Sequence, residues 1–119
     1  MAKILIVDDE SGIVDEVKDF FTEEGFEVHT ADSGGDGIVM VEKIKPDILI
    51  LDMKLPDISG IEVLKVSKEK SPHTKVIVVT GYVEQSLIDK AEELGRDSFL
   101  QKPFDLTFLV DEVNRLLTA

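Results

Sequence analysis

The stretch ILIVDDE, residues 4–10, sets four apolar residues directly before three carboxylates. Two similar apolar runs, ILIL at 48–51 and VIVV at 76–79, occur further along the chain. A strand with one face in water alternates apolar and polar residues, whereas these three runs are apolar throughout. They therefore predict central strands of a parallel sheet that is covered on both faces.

Five strand-like runs alternate along the chain with five segments whose apolar residues have helical spacing. The runs are KILIV (3–7), EVHTA (27–31), DILILD (47–52), KVIVVT (75–80) and DSFLQ (97–101). Because neighbouring parallel strands need a crossover connection, the alternation predicts an α/β fold, a doubly wound five-stranded parallel sheet with helices on both faces. EVHTA alternates polar and apolar residues, which predicts that it is an edge strand.

The first helix is indicated by apolar residues at Ile13, Val17 and 20–21, and Gly25 marks its end. Val14 lies off this apolar stripe, so we expect it to face solvent with Ile13 beside it. Asp and Ser side chains both accept hydrogen bonds from the free amides at the start of a helix, and a carboxylate also suits its positive end. Either Asp9 or Ser11 is therefore a candidate N-cap of the first helix.

Two further segments give helix boundaries. Asp105, just after Pro103, predicts the N-cap of the last helix. The glycine-rich DSGGDG, residues 32–37, lacks the Lys-Ser/Thr of a phosphate-binding loop. It predicts a flexible lead into the second helix instead.

Composition limits the classes of partner. The 119 residues form one domain's length, and we expect a single domain over residues 1–119. With 25 acidic and 13 basic residues the formal net charge is −12, which disfavours direct binding of nucleic acid or anionic lipid. No apolar run approaches the ~20 residues of a membrane span, and the N-terminus has no secretory pattern. With no cysteine, disulfide and thiolate metal sites are excluded, and we expect a cytoplasmic protein.

Polar side chains follow four of the predicted strands, where parallel strands bring their carboxyl ends to one edge. They are Asp8, Asp9 and Glu10 after the first strand, Asp52 after the third, Thr80 at the end of the fourth, and Lys102 after the fifth. Carboxylates a few ångströms apart repel one another, and a divalent cation offsets that repulsion. Oxygen ligands are those that Mg²⁺ prefers, so the pattern favours a magnesium site.

Four separated stretches together resemble the receiver domain of two-component response regulators. They are ILIVDDE, DILILDMKLPDISGIEVL (47–64), VIVVTG (76–81) and LGRDSFLQKPF (94–104), and the resemblance extends over essentially the whole chain. Within that family the chain is most similar to single-domain phosphorelay regulators and to receivers of nitrogen-regulator-type activators. The resemblance implies the flavodoxin-like strand order 2-1-3-4-5.

The resemblance also implies a role for each residue at the strand ends. Asp52 would be the phosphoacceptor, forming an acyl phosphate. Mg²⁺ would be held by Asp9 and Asp52 directly, by Asp8 mainly through water, and by the carbonyl of Lys54. Lys102 would pair with the phosphoryl oxygens, and its peptide bond to the following proline would be cis.

The remaining roles concern switching and partners. Thr80 would hydrogen-bond to the phosphoryl group, with backbone amides near Met53 and Gly81 completing the cradle. Phe99 would rotate inward behind Thr80 and remodel the face formed by the fourth helix, fifth strand and fifth helix. Residues Ile13 and Val14 would belong to the surface that receives the donor, and Lys54 and Tyr82 would tune the phosphoryl lifetime.

We therefore expect a signalling phosphoacceptor, not a classical enzyme, whose only activities are self-directed phosphoryl transfer and slow autodephosphorylation. Its partners would be a histidine kinase or histidine phosphotransfer protein and a downstream protein target, and the chain would be a monomer or a weak phosphorylation-dependent dimer. Three alternatives remain: a Mg²⁺-dependent phosphohydrolase with an aspartyl-phosphate intermediate, a flavin-binding domain, and a phosphorylation-independent interaction domain. The first lacks an Asp-x-Asp pair at Asp52, and the second lacks a Ser/Thr phosphate loop.

Overall fold

The computed structural model describes residues 2–81 and 84–118. Strands and helices alternate along this part of the chain, as the sequence predicts. The strands are β1 (Lys3–Val7), β2 (Glu27–Ala31), β3 (Ile48–Leu51), β4 (Lys75–Thr80) and β5 (Ser98–Gln101). The helices are α1 (Ser11–Glu23), α2 (Gly34–Ile44), α3 (Gly60–Lys70), α4 (Gln85–Glu93) and α5 (Leu106–Thr118).

The strands form one parallel sheet in the order β2-β1-β3-β4-β5, which confirms the predicted fold class and strand order. β2 lies at an edge of the sheet, as its alternating pattern predicts. The register pairs Val7 with Leu51, Leu51 with Val78, and Val78 with Phe99. β1 and β3 therefore end level with each other, and β4 and β5 end level with each other two residues further on, at the paired Thr80 and Gln101. All four carboxyl ends lie at the same edge of the sheet, which brings the residues that follow them together.

Two cores lie on opposite faces of the sheet, and successive residues of each central strand enter different ones. In β1, Leu5 and Val7 pack into the core shared with α2, α3 and α4, whereas Ile4 and Ile6 pack into the core shared with α1 and α5. This burial on both faces explains why the central strands are apolar without alternation.

The expectation that Val14 faces solvent is wrong. Val14 is 8% exposed and belongs to the same core as Val17 and Phe21. Spacing of three and seven residues places these side chains on one face of α1, and that face packs on the sheet. Ile13 is half-buried at the edge of this core.

The start of α2 also differs from the prediction. Residues 34–37 are the first turn of the helix and not a flexible lead, with Ser33 as the N-cap. Two backbone amides of this turn, those of Gly34 and Gly35, each donate to a carboxylate oxygen of Asp57 at 2.8 Å. A Cβ atom at Gly37 would lie 2.9 Å from a methyl group of Val7, so glycine allows α2 to pack closely on the sheet.

Other helix boundaries agree with the sequence, apart from the proposed caps of α1. Gly25 follows α1 with a φ of 94°, a conformation that favours glycine. Asp105 precedes α5 and accepts a hydrogen bond from the amide of Thr107 at 3.0 Å. The N-cap position of α1 is occupied by Glu10, not by Asp9 or Ser11. In the described part of the chain, no helix is both long and apolar enough to cross a bilayer.

Candidate functional site

The level strand ends position the first two carboxylates of the site. Asp8 follows β1 and Asp52 follows β3, and the paired residues Val7 and Leu51 precede them. The amide of Asp52 donates to the carbonyl of Val7 at 3.0 Å, and the amide of Asp8 donates to the carbonyl of Ala31 at 3.1 Å. The sheet's own hydrogen bonding thus extends into the site and fixes the backbone there.

Lys102 lies between these carboxylates and contacts a third. Its ammonium is 2.7 Å from Asp8 Oδ2, 3.0 Å from Asp52 Oδ2 and 2.6 Å from Glu10 Oε1. The side chains of Asp8, Asp52 and Lys102 are 5%, 6% and 8% exposed, whereas that of Glu10 is 55% exposed. Two buried carboxylates and one exposed carboxylate therefore surround the lysine, which has three N–H donors.

Backbone geometry holds Lys102 at this point. Its amide donates to the carbonyl of Thr80 at 3.0 Å, which continues the pairing of β4 with β5. The peptide bond between Lys102 and Pro103 is cis, as the resemblance implies.

Burial and hydrogen bonding act in opposite directions on the pKa values of the site. Burial raises the pKa of the Asp8 carboxyl, because it disfavours the charged form, and the hydrogen bond from Lys102 offsets part of that rise. For Lys102 burial alone would lower the pKa, but hydrogen bonds to Asp8, Glu10 and Asp52 together outweigh it and raise the pKa. Lys102 is therefore a firmly charged ammonium.

The carboxylates form a set of oxygen donors that suits a hard divalent cation. Oxygen atoms of Asp8, Glu10 and Asp52 lie within 4.8 Å of one another. Oxygen ligands of this kind fit Mg²⁺. Asp9, which the resemblance implies as a direct ligand, is outside that close group.

Asp9 instead lines an open cleft of about 460 Å³ beside Asp52. The residues lining this cleft are Asp9, Glu10, Asp52, Lys54, Leu55, Pro56, Thr80 and Gly81. The cleft thus brings together Asp9, Asp52 and Lys54, the three residues implied as direct magnesium ligands. It also leaves Asp52 accessible from one side.

The loop after β3 is folded tightly against Asp52. The amide of Lys54 donates to Asp52 Oδ1 at 3.2 Å, and Lys54 forms an isolated antiparallel bridge with Ser59. A Cβ atom at Gly60 would overlap the carbonyl oxygen of Asp52, so the start of α3 approaches the site more closely than a larger residue allows. Met53 is 2% exposed and packs in the core shared with α2, α3 and α4.

Thr80 and Phe99 lie on neighbouring strands. Thr80 ends β4, is 1% exposed and lines the cleft together with Gly81. Phe99 on β5 is half-buried against the core on the α4 side, with the guanidinium of Arg96 5.8 Å from its ring centre. Tyr82, predicted to tune the phosphoryl lifetime, lies outside the described residues.

The two predicted partner-contact residues, Ile13 and Val14, lie in different environments. Ile13 lines a small groove of about 120 Å³ with Val17, Phe104 and Leu106, between α1 and the segment that precedes α5. Val14 is absent from that groove, because its side chain points into the core. Only Ile13 remains a candidate for a docking surface.

Glu10 is the site residue to which the sequence assigned no role. Its contact with Lys102 joins residues 92 positions apart, so no local pattern could predict it. The signal in the sequence is the third carboxylate of VDDE, which follows two carboxylates that already have roles.

Comparisons with known proteins agree with this geometry. The family model described as "Response regulator receiver domain" matches residues 4–114. Sporulation initiation phosphotransferase F of Bacillus subtilis is 39% identical over 115 residues, which cover 97% of this chain and 93% of that protein. The transcriptional regulatory protein TrcR of Mycobacterium tuberculosis is 35% identical, and the match covers 97% of this chain but 45% of that protein.

A solved structure gives the same result for the fold. The CheY-like response regulator receiver domain protein from Methanospirillum hungatei superimposes with a TM-score of 0.96 at 32% identity. The superposition covers 99% of this chain and 94% of that one.

Proposed function

The chain belongs to the response regulator receiver domain family, and from that premise we propose that it is the phosphoacceptor of a two-component or phosphorelay system. Asp52 takes a phosphoryl group from a phosphohistidine donor, and a downstream protein reads the phosphorylated form. The observation that supports this best is the Lys102 ammonium 3.0 Å from Asp52, beside an open cleft. A nucleophilic carboxylate and a fixed cation thus meet where a donor has room to enter.

The reaction is a single displacement at phosphorus. A carboxylate oxygen of Asp52 forms a new P–O bond, while the P–N bond to the donor histidine breaks and the imidazole leaves with its electron pair and takes up a proton. Lys102 stabilises the charge on the phosphoryl oxygens, because its ammonium already lies at Asp52. The hydroxyl of Thr80 and the backbone amides near Met53 and Gly81 supply further hydrogen bonds.

Mg²⁺ is the proposed cofactor, and the oxygen donors around Asp52 suit it. Asp9, Asp52 and the carbonyl of Lys54 would hold it directly, and Asp8 would do so through water. The bound ion would neutralise negative charge on the phosphoryl oxygens.

Phosphorylation would act as a switch because the new group carries roughly −1.5 to −2 charges and three acceptor oxygens. Thr80 moves toward these oxygens and Phe99 rotates inward behind it. Both residues are suited to this because they lie on adjacent strands, with Phe99 paired to Val78, two residues before Thr80. The face formed by α4, β5 and α5 then changes shape and binds its target differently.

The cycle closes by slow hydrolysis of the acyl phosphate, so the chain's only catalysis is directed at itself, with Lys54 among the residues that set the lifetime. The donor is a histidine kinase or histidine phosphotransfer protein in the cytoplasm, docking over the groove at Ile13. The chain acts as a monomer or as a weak dimer that phosphorylation favours.

Intact-mass spectrometry after incubation with acetyl phosphate and Mg²⁺ tests this proposal. We expect one phosphoryl adduct that requires Mg²⁺, is absent from Asp52→Asn and is retained by the control Asp111→Asn, an exposed aspartate of α5. A folded protein that forms no adduct with this donor or with a phosphorylated histidine phosphotransfer protein would overturn the proposal, and the phosphorylation-independent interaction domain would take its place.

A further inference from the structure

Glu10 contacts the reactive centre, yet the chemistry proposed above gives it no role. Its carboxylate accepts a hydrogen bond from the Lys102 ammonium at 2.6 Å, and its oxygen lies within 4.8 Å of a carboxylate oxygen of Asp52. Because Asp52 is where the phosphorus bonds, a full negative charge lies about one phosphoryl group's width from the reacting atoms.

Glu10 differs from the other carboxylates in its exposure. Asp8 and Asp52 are almost completely buried, whereas the side chain of Glu10 is 55% exposed and lines the cleft through which a donor reaches Asp52. An incoming donor therefore meets this charge on its path, in solvent that screens it only partly over this distance.

The pairing with Lys102 does not remove this effect. The same ammonium is shared with Asp8 and Asp52, so three carboxylates are in contact with one cation. Each of these charges adds its own potential at the phosphoryl position. Removal of the Glu10 charge therefore makes the electrostatic potential at that position less negative, whatever the other charges contribute.

We infer that Glu10 is a specificity-determining residue that selects phosphodonors by charge, disfavouring small donors in proportion to their negative charge. The inference rests on the proposed function and deepens it. A donor presented by a protein has its own contact surface to offset the repulsion, whereas a free small molecule does not.

Two small donors of different charge test the inference at saturating Mg²⁺ and pH 7. With acetyl phosphate, a dianion, Asp52 forms a P–O bond while the P–O bond to the departing acetate breaks. With phosphoramidate, mainly a monoanion, the P–N bond breaks and the leaving nitrogen departs as ammonia after taking up a proton. The rate constants are measured from the appearance of the phosphoprotein by mass spectrometry.

Glu10→Gln removes the charge and keeps the shape. We expect it to speed phosphorylation about fivefold with acetyl phosphate and about twofold with phosphoramidate at ~0.15 M salt, since one charge ~6 Å away in water acts on each donor in proportion to its charge. At ~1 M salt the gain with either donor should fall below about 1.5-fold. A merely structural role of Glu10 would change both rates equally and without salt dependence.

Two variants serve as controls. Glu10→Asp retains the charge and should leave the wild-type ratio of the two donor rates. Glu23→Gln makes the same substitution at an exposed glutamate at the far end of α1 and should leave both rates unchanged.

Magnesium binding, measured by calorimetry, gives a readout that is independent of phosphorylation. Loss of the Glu10 charge should weaken Mg²⁺ binding several-fold in Glu10→Gln, and not in Glu10→Asp or Glu23→Gln. An unchanged dissociation constant would overturn the inference, because a carboxylate that a divalent cation does not sense cannot repel a dianion.

The outcomes separate the inference from the proposed function. If the wild type and Glu10→Gln are phosphorylated at Asp52 with the same rates, or with equal acceleration for both donors, the inference is wrong and the proposed function stands. If the wild type forms no adduct with any donor, the proposed function itself has failed.

Discussion

At the residue scale, two buried side-chain atoms of the described residues have no hydrogen-bond partner, the hydroxyl oxygen of Ser67 and Nε of Arg96. Among the described residues, the hydroxyl of Ser67 on α3 is fully buried and has no hydrogen-bond partner. One turn later, Ser71 is equally buried but its hydroxyl shares a 2.7 Å hydrogen bond with that of Thr74. The two serines are equally buried and differ in side-chain hydrogen bonding, with Ser67 inside α3 and Ser71 at its C-cap.

Ser67→Ala should therefore stabilise the protein by about 1 kcal/mol, because it removes a buried group whose hydrogen bond to water is lost on folding. Ser71→Ala should destabilise it by about 1 kcal/mol, because it leaves the Thr74 hydroxyl with one bond fewer. Urea unfolding curves of the two variants measure both changes. A loss of stability in Ser67→Ala would show that its hydroxyl has a partner in solution.

Asp8 gives a prediction about pH. Burial raises its pKa in the folded state, so the folded protein holds the proton more tightly than the unfolded chain. Relative to neutral pH, the stability contribution of this group is fully present below the unfolded pKa of about 3.9 and is lost as the pH rises through the folded pKa. In Mg²⁺-free buffer, Asp8→Asn should raise the free energy of unfolding at pH 7, and the gain should shrink on acidification.

The measurement is chemical denaturation between pH 4 and pH 7, with Asp111→Asn as the exposed control. A gain that is independent of pH would contradict the assignment of the effect to ionisation of Asp8.

At the element scale, one side chain joins α2 to the loop that follows Asp52. Asp57 accepts from the amides of Gly34 and Gly35, which are among the amides at a helix N-terminus that lack an intrahelical partner. These two bonds lower the pKa of the Asp57 carboxyl. The stabilisation is therefore present above the unfolded pKa of about 3.9 and is lost as the pH falls through the folded pKa.

Asp57→Ala should lower the melting temperature by a few degrees at pH 7, and the difference from wild type should close as the pH is reduced below about 4. Asp111→Ala, which removes an exposed aspartate elsewhere, is the control. Equal melting temperatures of Asp57→Ala and wild type at pH 7 would contradict the capping role.

Sequence patterns predicted the elements well where burial alone decides them. The runs in β1, β3 and β4 are apolar because both faces of those strands are covered, and this needs no knowledge of the partner strand. The C-terminal end of α1 and the start of α5 follow from single local residues, Gly25 and Asp105.

Three of the failures share a physical cause, because each depends on a contact distant in sequence. Val17 and Phe21 belong both to the apolar stripe predicted through Ile13 and to the buried face that contains Val14. Only the way α1 packs on the sheet therefore decides that Val14 is buried. The first turn of α2 is ordered by Asp57, more than twenty residues away. The contact of Glu10 with Lys102 joins residues 92 positions apart. The sequence therefore predicted where the site lies but not that Glu10 contacts Lys102 there.

At the scale of the whole molecule, acidic residues outnumber basic residues by 25 to 13. A formal net charge of −12 on 119 residues produces self-repulsion that salt screens. Raising NaCl from about 0.01 M to about 0.15 M should therefore increase the free energy of unfolding by roughly 1 kcal/mol.

Mg²⁺ should act differently from NaCl, since binding to the folded state stabilises in proportion to RT ln(1 + [L]/Kd). At constant ionic strength, thermal melts should show a saturable gain with MgCl₂ in the wild type that is lost in Asp9→Asn. The same NaCl response should remain in both proteins. A magnesium effect that survives in Asp9→Asn would contradict the proposed ligand set.

Chemical mapping identifies the residue that receives the phosphoryl group, which we propose to be Asp52. Borohydride reduces an acyl phosphate to an alcohol, so a phosphorylated aspartate becomes homoserine and the peptide that contains it changes mass. After transfer from a phosphorylated histidine phosphotransfer protein, we expect homoserine at position 52 and reduction at no other carboxylate. Homoserine at Asp8 or Asp9, 2-amino-5-hydroxypentanoic acid at Glu10, or no reduced residue at all in a phosphorylated sample would contradict it.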